Sequence, residues 1–294
     1  MRYRLSPNGN LSKHLTRLVR SINDDIALSL IHACRDPETG VHEARKGCKE
    51  IRAILRLVKP NMEQNKFAAK QDFYRKVSGK LAGNRDAMVR QKTWNNLVVE
   101  ASTLQGKIDE TVTLFLDSQE ALNPIAEKGR DFFVDLALDV EQESATPKNW
   151  DLPKSLSDLV PNIKKIYRKA RDAEMKAKDS DDIEHFHKFR KRSKDLFYCM
   201  RVLRPMFGKG LKSMVSDLEN LTEAQGLAND HAVLLDYLCE HRPSLNLEDT
   251  EWEQVNDCIT LKLLELQRLS HKQAKALLSG SPGTFIKQLL KESR

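Results

Sequence analysis

Residues 41–60, VHEARKGCKEIRAILRLVKP, decide the reading of this chain, because they nearly recur at 186–205 as FHKFRKRSKDLFYCMRVLRP. A shift of 145 carries His42 onto His187, Arg45 onto Arg190, Lys46 onto Lys191 and Lys49 onto Lys194. The same shift of 145 carries Arg56 onto Arg201, Lys59 onto Arg204 and Pro60 onto Pro205. A shift of 144 takes Asp86 to Asp230 and Val89 to Val233, so GNRDAMV at 83–89 matches LANDHAV at 227–233. A repeat of this length sets the architecture before any single element does. It predicts two similar helical halves packed as one unit, about 5–144 and 153–292. The stretch ESATPKNWDLPKS at 143–155, with two prolines and no apolar periodicity, joins them.

Working outward, the rest of the sequence is helical in pattern. Leu11, Leu15, Leu18, Val19, Ile22 and Ile26 recur at helical spacing and predict a helix over about 11–34. Pro37 resists helix continuation and ends it. Further helices are expected over about 39–59, 63–80, 87–102, 105–122 and 126–143, with Asn123-Pro124 separating the last two. After the linker the pattern restarts at 156–178, with Ile163, Ile166, Tyr167 and Ala170 inward. The second basic helix, a segment over 211–238 and a long helix over 251–278 complete the chain. Pro and Gly fall between periodic stretches and no segment alternates like a strand, so the fold class is all-α.

Composition narrows the function. The 294 residues carry 49 Lys+Arg against 42 Asp+Glu, a net charge of +7, so the clustering of charge matters more than its total. No apolar run approaches a membrane span of ~20 residues. MRYRLSPNGN at the start is polar and unlike a signal peptide, and the expected location is cytoplasmic. Cys34, Cys48, Cys199, Cys239 and Cys258 form no CxxC pair and are expected to be scattered, reduced thiols.

At about 100° per residue, with His42 at zero, Arg45, Lys46, Lys49, Arg52 and Arg56 fall within an arc of about 120°. Ala44, Cys48, Ile51, Leu55 and Val58 lie opposite. In the second copy His187, Arg190, Lys191, Lys194, Tyr198 and Arg201 fill the same arc, and Phe189, Leu196, Met200 and Leu203 face away. Each helix thus has an apolar face and a nearly acid-free cationic stripe. Charged faces are usually solvated surface, but they usually mix signs. Here like charges sit at i,i+4 in Arg45/Lys49, Arg52/Arg56 and Arg190/Lys194, at ~0.2–0.5 kcal/mol each. Repeating that repulsion at matching positions implies a polyanion that relieves it.

Readers of single-stranded nucleic acid add aromatic platforms for base stacking. The arcs offer only Tyr198, and 6% of the chain is aromatic. Phosphate alone needs charge and donors, the planar fork of Arg and the mobile point charge of Lys. An extended phosphate chain suits two long stripes better than a compact anion does.

The paired H-x-x-R-K-x-x-K pattern, His42-Arg45-Lys46-Lys49 and His187-Arg190-Lys191-Lys194, resembles the conserved histidine α-helical domain, or CHAD, family. GNRD and LAND look like its second signature in each half, and the resemblance covers nearly the whole chain, 5–292. It implies two four-helix bundles related by pseudo-twofold symmetry, with a basic groove or pore between them. It also implies inorganic polyphosphate as ligand, with association with polyphosphate granules in some members. By that resemblance His42, Arg45, Lys46, Lys49, Arg52 and Arg56 line one wall, and His187, Arg190, Lys191, Lys194 and Arg201 the other. Lys13, Arg17, Arg20, Arg85, Lys165, Arg168, Lys169 and Tyr198 are further candidates. The second wall departs from the first: Phe197 stands where Arg52 does, and Tyr198 replaces Ala53.

Catalysis is not expected. The ExExK signature of the triphosphate-tunnel enzymes fused to some members is absent, and there is no P-loop. His42 and His187 have cations as helical neighbours, which would repel a metal. His185 and His187 point to different sides of a helix. Asp86 and Asp230 are expected to cap helices or orient arginines, and His231 to serve a helix start. The expectation is a non-enzymatic polyphosphate binder with no cofactor and no metal. The alternatives are an RNA- or DNA-backbone binder and a regulatory partner of a polyphosphate-handling enzyme.

Overall fold

The computed structural model describes residues 10–82, 85–120, 128–144, 150–180, 182–204 and 209–292, without the side chains of residues 85, 86, 119, 120, 209, 210 and 292. Asn123-Pro124, Pro205, residues 5–9, residues 145–149 of the predicted linker and Gly83 and Asn84 of the GNRD signature lie outside this set. Among the described residues there are helices and no strands. The α-helices are α1 (Leu11–Ala33), α2 (Pro37–Val58), α3 (Gln64–Lys80), α4 (Arg85–Glu100), α5 (Lys107–Glu120) and α6 (Arg130–Ser144). They continue with α7 (Leu156–Lys178), α8 (Ile183–Leu203), α9 (Lys209–Glu240), α10 (Asp249–Leu278) and α11 (Pro282–Glu292).

The chain forms two compact units, and each draws helices from both halves of the sequence. The first comprises Met1–Ala82, Ile125–Glu219 and Leu277–Arg294; the second comprises Gly83–Pro124 and Asn220–Ala276. The long α9 contributes its start to the first unit and the rest to the second.

In the first unit α1 packs on α2 and α6, α2 also on α3, α7 and α8, and α7 on α8 and α11. The predicted stripe of α1, Leu11, Leu15, Leu18, Val19, Ile22 and Ile26, is buried. Pro37 does more than stop α1. It opens α2 at the first helical position, where its missing N–H is no loss, and Asp36 caps that helix by accepting from Thr39 N at 3.1 Å. The carboxyl of Asp36 is held below its ordinary range chiefly by hydrogen bonding to the Thr39 side chain, and next by that backbone bond. The α1–α2 hairpin closes tightly because Gly40 faces the backbone of Ala33 and Gly47 faces Ile26.

Buried polar groups fix the rest of this unit. Tyr74 donates to Asn23 Oδ1 at 2.9 Å. Asn162 of α7 donates to the carbonyls of Arg56 and Leu57, each at 2.7 Å. Those carbonyls belong to the last turn of α2, which the helix itself leaves without partners. Tyr167 donates to the Leu277 and Gly280 carbonyls, each at 3.2 Å, and stacks on Phe285 at 4.1 Å.

The second unit is built around Trp94, Leu97, Val112, Leu116, Leu234, Leu238, Val255 and Ile259. Trp94 Nε1 donates to Asp109 Oδ1 at 2.9 Å, and Lys262 joins Glu100 at 2.8 Å. Asp230 and His231 correct the sequence reading here. Both lie in the interior of α9, which runs unbroken through LAND, so neither starts or caps a helix. His231 is buried, and its Nδ1 lies 2.8 Å from the Leu227 carbonyl one turn back.

Candidate anion-binding seam

The basic stripes of α2 and α8 lie in the first unit, where the two helices pack against each other. Four helices pack around α2, so its buried side is wider than one stripe: Gly40, Val41, Ala44, Cys48, Ile51, Ala53, Ile54, Leu55, Leu57 and Val58. What remains open is the cationic set. Arg45, Lys46, Lys49, Arg52 and Arg56 are half-buried and His42 is exposed. On α8, Arg190, Lys194, Tyr198 and Arg201 are half-buried, and His187 and Lys191 are exposed. Phe189, Leu196, Phe197, Met200 and Leu203 are buried.

Several of these cations are positioned by the protein itself. Arg45 Nη1 donates to the Leu81 carbonyl at the end of α3, at 3.1 Å. Arg52 Nε donates to Gln71 Oε1 at 3.4 Å, and Gln71 returns a bond to the Arg52 carbonyl at 2.8 Å. Lys46 pairs with Glu43 at 3.1 Å. Two ion pairs cross from helix to helix: Arg56 Nε to Asp195 at 2.9 Å, and Arg201 Nη2 to Glu50 at 2.8 Å. The Arg56 Nε–H does not align on the carboxylate, so the contact is an ion pair without a hydrogen bond. Arg192 also reaches Asp195, at 3.1 Å.

Tyr198 sits at the centre of this arrangement. Burial raises the pKa of its phenol, Glu50 adds to that, and Arg201, Arg56 and Arg190 oppose it. All four charges therefore act on one point of the seam. The ring is half-buried among them.

A third helix contributes. Lys165, Arg168 and Lys169 of α7 are exposed. Exposed as its side chain is, the ammonium of Lys169 is pushed below its ordinary range by partial loss of hydration first, then by Arg192, Lys165 and Lys59. Those cations share one field, with Asp195 the opposing charge. Lys59 also stands 4.8 Å from the ring centre of Phe67. Lys13 and Arg17 are exposed and Arg20 half-buried on α1; among the described residues no ion pair or hydrogen bond ties them to the seam. Arg85 opens α4 in the second unit.

The structure adds Lys59 and Arg192 to the cations, and it corrects the view of the stripes as nearly acid-free. Glu50 and Asp195 sit about 80° from His42 and His187 around their helices, at the edge of each arc. Viewed on one helix they are peripheral. When two helices pack edge to edge, each edge residue meets the other helix's stripe. The signal was in the repeat, since Glu50 and Asp195 are separated by the same 145 residues as Arg56 and Arg201.

A cavity of about 480 Å³ opens beside the seam, lined among others by Asp25, Ser29, Glu43, Lys46, Glu50 and Arg201. Its three carboxylates make it a poor anion pocket, so the charge argument favours the seam. Among the described residues no His, Cys, Asp and Glu cluster could hold a metal, and no helix is long and apolar enough to cross a membrane. The five cysteines are unpaired; burial pushes the Cys48 thiol up to about 11 and raises that of Cys199 as well.

Comparison with known proteins bears on the fold and the family. The chain's fold is similar to the crystal structure of the CHAD domain from the plant Ricinus communis, with TM-score 0.60 and 19% identity over 95% of both chains. It is also similar to PptA from Streptomyces chartreusis, with TM-score 0.57 and 14% identity over 92% of this chain and 99% of that one. No curated protein matches the sequence. The CHAD domain family model matches residues 16–239, which contain both basic helices. The chain belongs to the CHAD domain family.

Proposed function

We propose that this protein binds inorganic polyphosphate along the α2–α8 seam, without catalysis. The observation that carries this reading is the packing of α2 on α8, which merges two repeated basic stripes into one surface. Polyphosphate offers only oxygen acceptors and charge, which the arginine forks and lysine ammoniums of the seam match. Lys59, Lys165, Lys169 and Arg192 extend the path over α7. The half-buried ring of Tyr198 gives nucleic-acid bases little to stack on. Membership of the CHAD family points the same way, and binding of this kind would carry the protein to polyphosphate granules.

The two walls are read as products of internal duplication about a local twofold. In support, α1 at 11–33 and α7 at 156–178 differ by 145 at both ends, as do the ends of α2 and α8 at 58 and 203. The pairs Arg56–Asp195 and Arg201–Glu50 are reciprocal at the same shift of 145, as contacts about a twofold must be.

Competition between long-chain polyphosphate and RNA of matched charge tests the assignment. Polyphosphate is expected to displace RNA, and RNA to displace polyphosphate poorly. Equal displacement would favour a general reader of nucleic-acid backbones.

A further inference from the structure

The seam holds two carboxylates that an anion site has no direct use for. Glu50 of α2 lies 2.8 Å from Arg201, and Asp195 of α8 lies 2.9 Å from Arg56. Their side chains are only 14% and 13% exposed, and those arginines 27% and 29%. One such pair could be incidental. Here the pair is made twice, with acid and base each displaced by 145 residues, so each helix lends an acid to the other's arginine.

A fastening role explains this poorly. A part-buried pair loses in desolvation much of what it gains in attraction. The chemistry suggests another role. A carboxylate this close supplies the arginine with the negative charge that a phosphate would otherwise bring. Burial already pushes the Glu50 carboxyl up against the pull of Arg201 and Lys46, so its charged state is held at a cost.

We propose that Glu50 and Asp195 are specificity-determining residues that occupy Arg201 and Arg56 in the free protein, so that a long polyphosphate displaces them and a short phosphate does not. The proposal rests on the reading of the seam as a polyphosphate site. A short anion must displace a carboxylate with few other contacts. A long chain meets Arg52, Lys49, Arg190 and Lys194 in the same encounter, and each further contact is intramolecular. The carboxylates thereby convert chain length into affinity.

The test is calorimetric titration of inorganic triphosphate and of long-chain polyphosphate into the wild type and the Glu50→Gln/Asp195→Asn variant at one ionic strength. Urea midpoints on the same samples report stability. Triphosphate is expected to tighten by about tenfold or more in the variant, long chains by less, so that discrimination by length falls. Unchanged or weaker triphosphate binding in a folded variant would overturn the proposal and make the carboxylates positioning groups. Should the double variant unfold, Glu50→Gln and Asp195→Asn singly must each show part of the gain. The two readings separate cleanly. Wild type that ignores long chains while the variant gains triphosphate would sink the polyphosphate assignment and keep the role of the carboxylates. Wild type that binds long chains with no gain in the variant would do the reverse, and no phosphate binding by either protein would overturn both.

Discussion

Asn162 illustrates how single side chains set the geometry of the seam. Its amide donates to the Arg56 and Leu57 carbonyls and so fastens α7 to the turn of α2 that carries Arg56. Asn162→Ala removes both bonds and leaves two buried carbonyls without a donor. The expected cost is about 1–3 kcal/mol, read as a lower urea midpoint at constant slope. At this scale the burial pattern was legible and the pairing was not. Ala44, Cys48, Ile51, Leu55 and Val58 are buried as their spacing predicts, because a helix fixes which residues share a side. Phe197, which departs from the repeat at Arg52, is buried too, so the second wall loses a cation there. Glu50, Asp195, Lys59 and Arg192 went unread because their roles depend on a neighbouring helix, which a single-helix projection leaves out.

At the scale of elements, Gly40 tests the hairpin that presents α2. A Cβ there would come within 2.5 Å of the Ala33 backbone, which cannot yield as a side chain would. Alanine is the better helix former by about 0.8–1.0 kcal/mol, yet overpacking costs about 1–3. Gly40→Ala is therefore expected to lower stability, and a raised denaturation midpoint would show that the α1–α2 contact is looser than described. His231 makes a second test, within α9. Burial holds its imidazole below the ordinary value of 6.5, with Lys262 of α10 adding to the shift and Asp230 and Glu100 of α4 opposing it. The folded state then resists a proton that the unfolded state takes up. The contribution is fully present above about pH 6.5 and is lost progressively as pH falls below it, through the lower folded value. Urea midpoints from about pH 7.5 to about 5.5 should fall more in the wild type than in His231→Gln, and parallel curves would contradict this. Helix extents were largely legible: α7 spans the predicted 156–178, since its apolar spacing and flanking linker mark both ends. The continuity of α9 was not, because in the first copy α3 ends at Lys80 and α4 begins at Arg85, while LAND in the second copy lies inside one helix.

For the whole molecule, the account is electrostatic. Binding that neutralises several phosphates at once releases counterions, so polyphosphate affinity should fall steeply and linearly on a log–log plot against salt. A flat response would point to a small ligand or a partner protein. On the proposed function, the packing of α2 on α8 makes the two stripes one site. Neutralising Arg45, Lys46 and Lys49, or instead Arg190, Lys191 and Lys194, should each remove most of the affinity for long chains. The central claim is that the open cations of this seam hold polyphosphate and do not hold the fold. Lys46 and Lys49 are half-buried beside the apolar side of α2, Lys194 is half-buried on α8, and Lys191 is exposed. The most direct measurement is long-chain polyphosphate binding by the variant with Lys46, Lys49, Lys191 and Lys194 all changed to Glu, with circular dichroism on the same sample. The account predicts affinity lowered by at least about a hundredfold, on the order of 2.8 kcal/mol, with helical content unchanged. Wild-type affinity in a fully helical variant would contradict it.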